Sequence, residues 1–336
     1  MGGERLLSIL QCNEYDDGSS KHISKFNKSN ENDLTISGVS DTISNSIERL
    51  LEGEFDLVSC SGIAWNKYSD VRDQIVVAAV LPRRDASWVI VSEDNLNYLV
   101  KDSKIVCNSE LISRQLKRVR PDLVISTYSE WRKEFQSECD DSDLLLELEN
   151  SRRDGSIQGY AISRADWESS NIKARRHTLG MHKSEKGDSA FTPPPLHGFT
   201  LLISRIGFPM KYLQEINDVT SNNVFELESM LEMQMNPEIK NIVGIHVSQR
   251  KIGSLLKQAK NEGDLILKNS ALSPEGDIES VQTRFNIQIE LPDLEGKFTL
   301  ALERIAALES SNYLTNIIMK DWNELYRVAV ENIRKF

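Results

Sequence analysis

The segment KIVCNSELISRQLKRVRPDLVI, residues 104–125, has the residue types and spacing of an anion-binding loop. Its apolar start predicts a strand, its polar turn carries Asn108 and Ser109, and the residues that follow predict a helix containing Arg114. Backbone amides at the N-terminus of a helix bind carboxylates and phosphates. We therefore expect Asn108, Ser109 and Arg114 to hold a small anion. The alternative is that the basic residues of this helix form a solvated face.

The thiols and imidazoles do not form the clusters that bind metals. All four cysteines lie in the first half of the chain without CxxC spacing: Cys12, Cys60, Cys107 and Cys139. This pattern predicts reduced thiols and no disulfide framework. Cys107 precedes a predicted helix, so it is either a reactive thiol or a small core residue. His177 and His182 lack neighbouring ligand residues, and no metal is expected.

The composition is that of an ordinary soluble globular protein of 336 residues, long enough for two or three domains. Its 40 basic and 51 acidic residues give a net charge of −11, which disfavours broad binding of nucleic acid. A small anionic ligand stays compatible with local basic patches. The longest apolar run, residues 75–81, is too short to span a membrane, and no signal-peptide core is present. The cytoplasm is the expected location.

Strands and helices alternate in the first half of the chain. Apolar residues at helical spacing predict a helix over 43–51, and apolar runs rich in β-branched residues predict buried strands. The predicted strands include DLVSC, QIVVAAVLP, SWVIVSE and IQGYAIS. This alternation predicts parallel βαβ units. The polar residues 14–33 are expected to form a long exposed loop.

The second half of the chain has a different pattern. A charged crossing over 170–197 leads into the strand GFTLLISRI, and a helix capped by Asn223 precedes the strand IVGIHVS. Two further strands, DLILKNSAL and IESVQTRFNIQIEL, flank the turn SPEG. These elements predict a small α+β domain. The tail 297–336 is expected to be an amphipathic helix.

Six segments in this order resemble the hydroxymethylbilane synthase (porphobilinogen deaminase) family over residues 43 to 290. They are IERLLEGEFDLVSCS, VVAAVLPRRDASWVIVS, VCNSELISRQLKRVRPDL, DGSIQGYAIS, PPPLHGFTLLI and GDLILKNSALSPEGDI. The family enzyme links four porphobilinogens during tetrapyrrole synthesis, so the resemblance implies a transferase of porphyrin biosynthesis.

The resemblance implies a fold of two periplasmic-binding-protein-like (type II) α/β domains and a small α+β third domain with C-terminal helices. Domain 1 is expected over 1–98 with 193–218, and domain 2 over 99–192. Domain 3 is expected over 219–292, followed by a helical extension over 293–336.

The chain departs from the family at the residues that carry its chemistry. The catalytic Asp of the family falls on Ala64 and the preceding Lys on Ile63, while the paired arginines fall on Ile112 and Ser113. Cys60 lies where the family has a His. The site that attaches the dipyrromethane primer falls near 235–239, which has no cysteine, so no cofactor is expected.

Three other residues match ligand-binding positions of the family. Arg83 matches an arginine, with pairing to Asp85 as its structural alternative. Ser61 matches a serine, with a turn hydroxyl as the alternative. His197 lies where the family has Gln, and it is either a ligand contact or a hydrogen-bonded hinge histidine.

Three functions stay open at this point. The first is a divergent family member that binds porphobilinogen or a related pyrrole without catalysis. The second is an enzyme that makes hydroxymethylbilane with a rearranged site. The third is a repurposed binding module for a small carboxylate or phosphate in the cleft between the domains.

Overall fold

The computed structural model describes residues 6–30, 34–68, 72–136, 139–140, 143–170, 172–181, 190–250, 253, 284–307 and 311–333. Two α/β lobes, each built on a five-stranded sheet, are followed by a third domain with a three-stranded sheet. The predicted strand DLILKNSAL, the turn SPEG and His182 lie outside the described residues.

Lobe 1 is formed by the first four strands and by one strand that returns late in the chain. Its elements are β1 (Leu7–Cys12), α1 (Ser19–Asn30), β2 (Leu34–Ser40), α2 (Ile43–Leu51), β3 (Leu57–Ser61), α3 (Gly62–Lys67), β4 (Ile75–Val80) and β10 (Thr200–Arg205). The strand order is β2-β1-β3-β10-β4. β1 is parallel to β2 and β3, whereas β10 is antiparallel to β3 and β4.

Lobe 2 repeats this plan. Its elements are β5 (Trp88–Ser92), β6 (Lys104–Cys107), α4 (Glu110–Val119), β7 (Val124–Ser126), α5 (Tyr128–Phe135), α6 (Leu144–Arg153), β8 (Gly159–Ser163), α7 (Arg164–Ser169) and β9 (Arg176–Leu179). The strand order is β7-β6-β8-β5-β9, with β5 antiparallel to its neighbours. Each sheet thus has a parallel core and one antiparallel strand. Residues 81–87, between β4 and β5, form the first crossing between the lobes, and residues 190–199, before β10, belong to the second crossing. This arrangement defines the type II periplasmic-binding-protein-like fold and confirms the predicted fold class.

The third domain packs two helices on one face of an antiparallel sheet. It contains α8 (Val219–Gln234), β11 (Gly244–Arg250), β12 (Arg284–Pro292), β13 (Thr299–Ala307) and α9 (Ser311–Ile333). β12 alternates apolar and polar residues, so that Phe285, Ile287 and Ile289 lie on one face. These side chains belong to the same buried cluster as Val58 and Phe199 of lobe 1. Lobe 1 and the third domain therefore share one core.

Four sequence predictions about these elements are wrong. β5 pairs in the second sheet, so the boundary of domain 1 after residue 98 was placed too late, because a run of apolar residues does not specify which sheet it joins. Residues 19–30 form α1 although their Ser and Asn content is typical of loops; buried Ile23 anchors the helix. The C-terminal extension is not wholly helical, since it contains β13. α8 begins at Val219, and its cap is Asp218, five residues before the predicted cap Asn223.

The turn before β10 requires glycine at position 198. Gly198 has a φ of 86°, and a Cβ atom there would lie 2.7 Å from the backbone oxygen of Arg84 in the other crossing segment. Gly207 has nearly the same φ, 87°, with open space around the position of its Cβ. Alanine at position 207 would therefore meet backbone strain alone, whereas alanine at position 198 would meet both strain and a steric clash.

Gly198→Ala is expected to lower the free energy of unfolding by about 2–3 kcal/mol, from left-handed strain plus the clash with the Arg84 carbonyl. Gly207→Ala should cost only about 1 kcal/mol, from strain alone. Urea unfolding of both variants measures the difference. Equal losses would show that the two crossing segments are not tightly packed at this point.

Candidate functional site

The two crossing segments meet the loop after β1 in a buried cluster of charged groups. The Asp17 carboxylate accepts hydrogen bonds from Arg84 Nη2 at 2.6 Å and from the Gly198 amide at 2.7 Å. Arg84 Nη1 also donates to the Asp17 carbonyl. Arg84 and Gly198 belong to different crossings. Asp17 therefore ties both crossings to lobe 1.

The lobes touch each other beside this cluster. Lys21 Nζ in α1 donates to the Glu168 carbonyl in α7 at 2.9 Å. A Cβ atom on Gly18 would lie 3.1 Å from the Cβ of Ala165, so the start of α1 packs directly on lobe 2. Arg164 pairs with Asp85 of the first crossing at 2.9 Å. The lobes are closed on each other along this edge.

Three titratable groups near the cluster have shifted pKa values. Burial, reinforced by the Arg84 guanidinium, lowers the pKa of His22 to about 4, and His22 Nδ1 lies 3.0 Å from Thr200 Oγ1. Burial also lowers the pKa of His197. Burial raises the pKa of Asp166, to which Ser163 Oγ donates at 2.7 Å. Both imidazoles are therefore neutral near pH 7.

Backbone amides that could bind an anionic ligand are bonded to carboxylates of the chain itself. At the start of α1, the Gly18 and Ser20 amides donate to Asp16 at 3.1 Å each. At the start of α2, the Ile43 amide donates to Glu14 at 2.7 Å. The acidic run after β1 thus occupies the helix N-termini that an anion would use.

Arg83 is bound on all sides by protein groups. Its Nη1 and Nη2 lie 2.9 Å and 3.0 Å from the two oxygens of Glu228 in α8, and its guanidinium lies 4.1 Å from the Phe199 ring centroid. It also donates to the His197 and Val247 carbonyls. The expected pairing with Asp85 is wrong, because Glu228 lies on the third domain and its approach could not be read from local sequence.

His197 contributes to the same junction mainly through its backbone. Its carbonyl accepts bonds from Arg83 Nε at 3.1 Å and Nη2 at 2.9 Å. Its half-buried ring lies 6.4 Å from that of Trp88, centroid to centroid. This position favours the hinge histidine of the two predicted roles.

Ser61 and Ala64 lie at the start of α3. Ser61 Oγ accepts a bond from the Ala64 amide at 3.1 Å and donates to the Tyr15 carbonyl at 2.8 Å, which is the role of a turn hydroxyl. The Ala64 side chain is fully buried in the core of lobe 1. A methyl group in an apolar core supplies no proton and stabilises no cation.

The loop before α4 separates its three predicted ligand residues. Asn108 is exposed, and Ser109 caps α4 by accepting from the Ile112 amide at 3.4 Å. The buried Arg114 instead donates to the Pro292 carbonyl at 3.1 Å and pairs with Glu110 at 2.6 Å. Its guanidinium is therefore engaged with the third domain and the helix itself.

The alternative prediction, that the basic residues of α4 form a solvated face, is also wrong for part of the helix. Arg118 pairs with Glu290 of β12, and Gln115 Nε2 donates to the Thr192 carbonyl at 3.0 Å. A Cβ atom on Gly296, in the turn after β12, would clash with the Arg118 amide nitrogen. One face of α4 is therefore a docking surface for the third domain.

The thiols lie away from reactive surroundings. Burial raises the pKa of Cys107 to about 11 and that of Cys60 well above its usual range. A thiol with a raised pKa is a poor nucleophile, so the core interpretation of Cys107 is favoured. Among the described residues, no group of three or more His, Cys, Asp or Glu side chains could hold a metal ion. No described helix is both long and apolar enough to cross a membrane.

The strand order and the crossings define the class of protein: a two-lobed α/β protein of the type II periplasmic-binding-protein-like fold with an added third domain. No family model matches the chain. A curated protein named "Probable porphobilinogen deaminase", from Picrophilus torridus, is 26% identical over 214 residues, which cover 63% of this chain and 68% of that protein.

Solved structures of similar architecture have low similarity to this chain. An ABC transporter from Parabacteroides distasonis is 10% identical, covers 76% of this chain and 79% of its own, and has a TM-score of 0.36. YhfZ from Shigella flexneri is 11% identical. The match covers 63% of this chain and 89% of YhfZ, with a TM-score of 0.31. The fold assignment rests on the strand order and not on these matches.

Proposed function

We propose that this chain is a divergent, cytoplasmic member of the hydroxymethylbilane synthase (porphobilinogen deaminase) family that does not carry out the primer-dependent condensation. The sequence similarity and the two-lobed architecture support the family. The proposal depends mainly on one observation: every cysteine lies at or before position 139, so the third domain has no thiol to carry a primer.

The surroundings of the lost catalytic position support the same proposal. Ala64 is buried among apolar side chains, and the neighbouring Ile63 is also apolar. The nearby carboxylate of Asp17 is already bonded to Arg84 and Gly198. Losing a positioned acid or base removes about 10²–10⁴ in rate, and a missing covalent tether adds to this loss. In this proposal the chain binds a pyrrole or a related small anion, or serves as a scaffold.

The alternative is a binding module for a small carboxylate or phosphate in the cleft between the lobes. It would use the exposed Asn108, the turn at Ser109 and the few cationic groups not held by protein carboxylates. The pairing of Arg83 with Glu228 and of Arg114 with Glu110 leaves this alternative with fewer ligands than the sequence predicted. We therefore place it second.

The test is the intact mass of the purified protein together with its consumption of porphobilinogen. We expect the mass of the unmodified chain and no consumption above a heat-treated sample, because no third-domain thiol can form the thioether. The Picrophilus torridus protein, prepared identically, serves as the positive control. A dipyrromethane adduct or turnover would overturn the proposal. Loss of such an adduct in Cys139→Ser would locate the tether at the half-buried cysteine.

A further inference from the structure

Lobe 2 contains a cavity near the turn that leads into β8, and no residue of the two crossings lines it. Its volume is about 480 Å³, which lies within the range of small-molecule sites. It is lined by Trp131 and Phe135 of α5, by Cys139, by Glu147 and Ser151 of α6, and by Asp154 and Ser156 of the following turn. Asp166, which lies near the buried charged cluster, follows the opposite end of β8. The cavity is thus separate from the candidate site described above.

One wall of the cavity is aromatic. Trp131 and Phe135 lie one helical turn apart on α5, with ring centroids 6.0 Å apart and planes tilted by 37°. Trp131 is buried and fixed in place, whereas Phe135 is half-buried. Lys104 Nζ lies 5.9 Å from the Phe135 centroid, and its charge is paired with Glu134 at 2.6 Å. This wall suits the flat apolar body of a ligand.

The opposite wall supplies negative charge. Glu147 is half-buried, and its carboxylate makes no hydrogen bond or ion pair with any described residue. Two residues further on, Glu149 is bound by Arg152 and Arg153, so the neighbouring guanidinium groups are already engaged. A half-buried carboxylate without a cation is unfavourable, and a cationic ligand would stabilise it.

Ser151 and Asp154 are two further polar side chains that line the cavity. The Ser151 side chain is nine-tenths buried and lines the cavity, and among the described residues its hydroxyl has no hydrogen-bond partner. Asp154 is held in place by the Ser156 amide, which donates to its Oδ1 at 2.8 Å, and this contact with Ser156 lowers the pKa of Asp154. The cavity therefore presents one unpaired hydroxyl and two carboxylates to a ligand.

We propose that this cavity binds a small organic amine whose ring or flat apolar body lies on Phe135, against the edge of the buried Trp131, and whose ammonium group faces Glu147 and Asp154. Ser151 Oγ accepts a further N–H of the ammonium group. A carboxylate ligand is disfavoured, because both charged groups that line the cavity are acidic. This site is independent of the proposed function, since its residues are the same whether or not the chain condenses porphobilinogen.

Calorimetric titration of the full chain with phenethylamine tests the site. We expect saturable binding of one molecule, at least tenfold weaker binding to Glu147→Gln, and no binding of 2-phenylethanol, which has the same ring without the charge. Asp143→Asn is the matched control on the same end of α6, and it should bind as the unmodified chain does. Thermal unfolding of each variant establishes that it is folded.

Two further outcomes are decisive. Ser151→Leu, which fills the cavity from a nearly buried position, should abolish binding while Asp143→Asn retains it. No saturable heat with phenethylamine, or equal affinities for phenethylamine and 2-phenylethanol, would overturn the proposal. Unchanged affinity in Glu147→Gln would overturn it as well.

Discussion

Glu228→Ala is expected to lower the free energy of unfolding by about 3–5 kcal/mol, the cost of breaking a buried ion pair by removing one partner. The Glu228 carboxylate is fully buried and accepts bonds from both terminal nitrogens of Arg83. It also accepts the Leu196 amide at 2.6 Å and the Val247 amide at 3.1 Å. Its loss leaves one guanidinium and two backbone amides without their acceptor.

The physical reason for this large effect is the position of the pair. Arg83 lies in the first crossing, Leu196 in the second and Val247 in the third domain. The Glu228 carboxylate therefore binds both crossings to the third domain. Urea unfolding followed by circular dichroism measures the change. Glu226→Ala is the matched control, because Glu226 lies on the same helix, is exposed and bonds only to Asn222 among the described residues. It should change stability by no more than about 0.5 kcal/mol.

Equal stability of the two variants would contradict this assignment. Arg83 would then be free to bind a ligand anion, as its match to the family arginine implies. The result therefore bears on function as well as on stability.

Asp17→Ala is expected to cost about 3–5 kcal/mol for the same reason. The Asp17 carboxylate is buried, pairs with Arg84 and accepts the Gly198 amide from the second crossing. Removing it leaves a largely buried guanidinium between the lobes. We also expect faster hydrogen exchange at the Gly198 amide, because that N–H loses its acceptor.

Asp16→Ala is the matched control for this second prediction. Asp16 is the adjacent residue and is exposed, and it bonds to the first amides of α1 as a helix cap. Its loss should cost about 1 kcal/mol and leave exchange at Gly198 unchanged. If Asp17→Ala were no more harmful than Asp16→Ala, the Asp17 carboxylate would be available for ligand chemistry, and the proposed lack of catalysis would lose part of its support.

The candidate site could be predicted from the sequence only in part. Ser61 is a turn hydroxyl, which was one of its two predicted roles. Asp17 and Glu228 were missed. The run DDGSS after a strand is a helix-start signal that could have revealed α1 and its acidic cap. Glu228 lies at helical spacing from Val224 and Leu231, and a glutamate on the apolar face of α8 could have indicated a buried partner.

The sequence by itself determined that strands and helices alternate, because apolar periodicity is a local property that each segment carries with it. The two-lobed arrangement was predicted from the family resemblance and not from periodicity. The sequence also determined that no cysteine follows position 139, since the residue types of a segment are known without coordinates. Only the tertiary structure decided which charges are available to a ligand. Arg83 and Glu228 are 145 residues apart along the chain, and Arg118 and Glu290 are 172 apart. Such pairs form only when the packing of the third domain brings two distant backbones together and excludes the water that would otherwise solvate them.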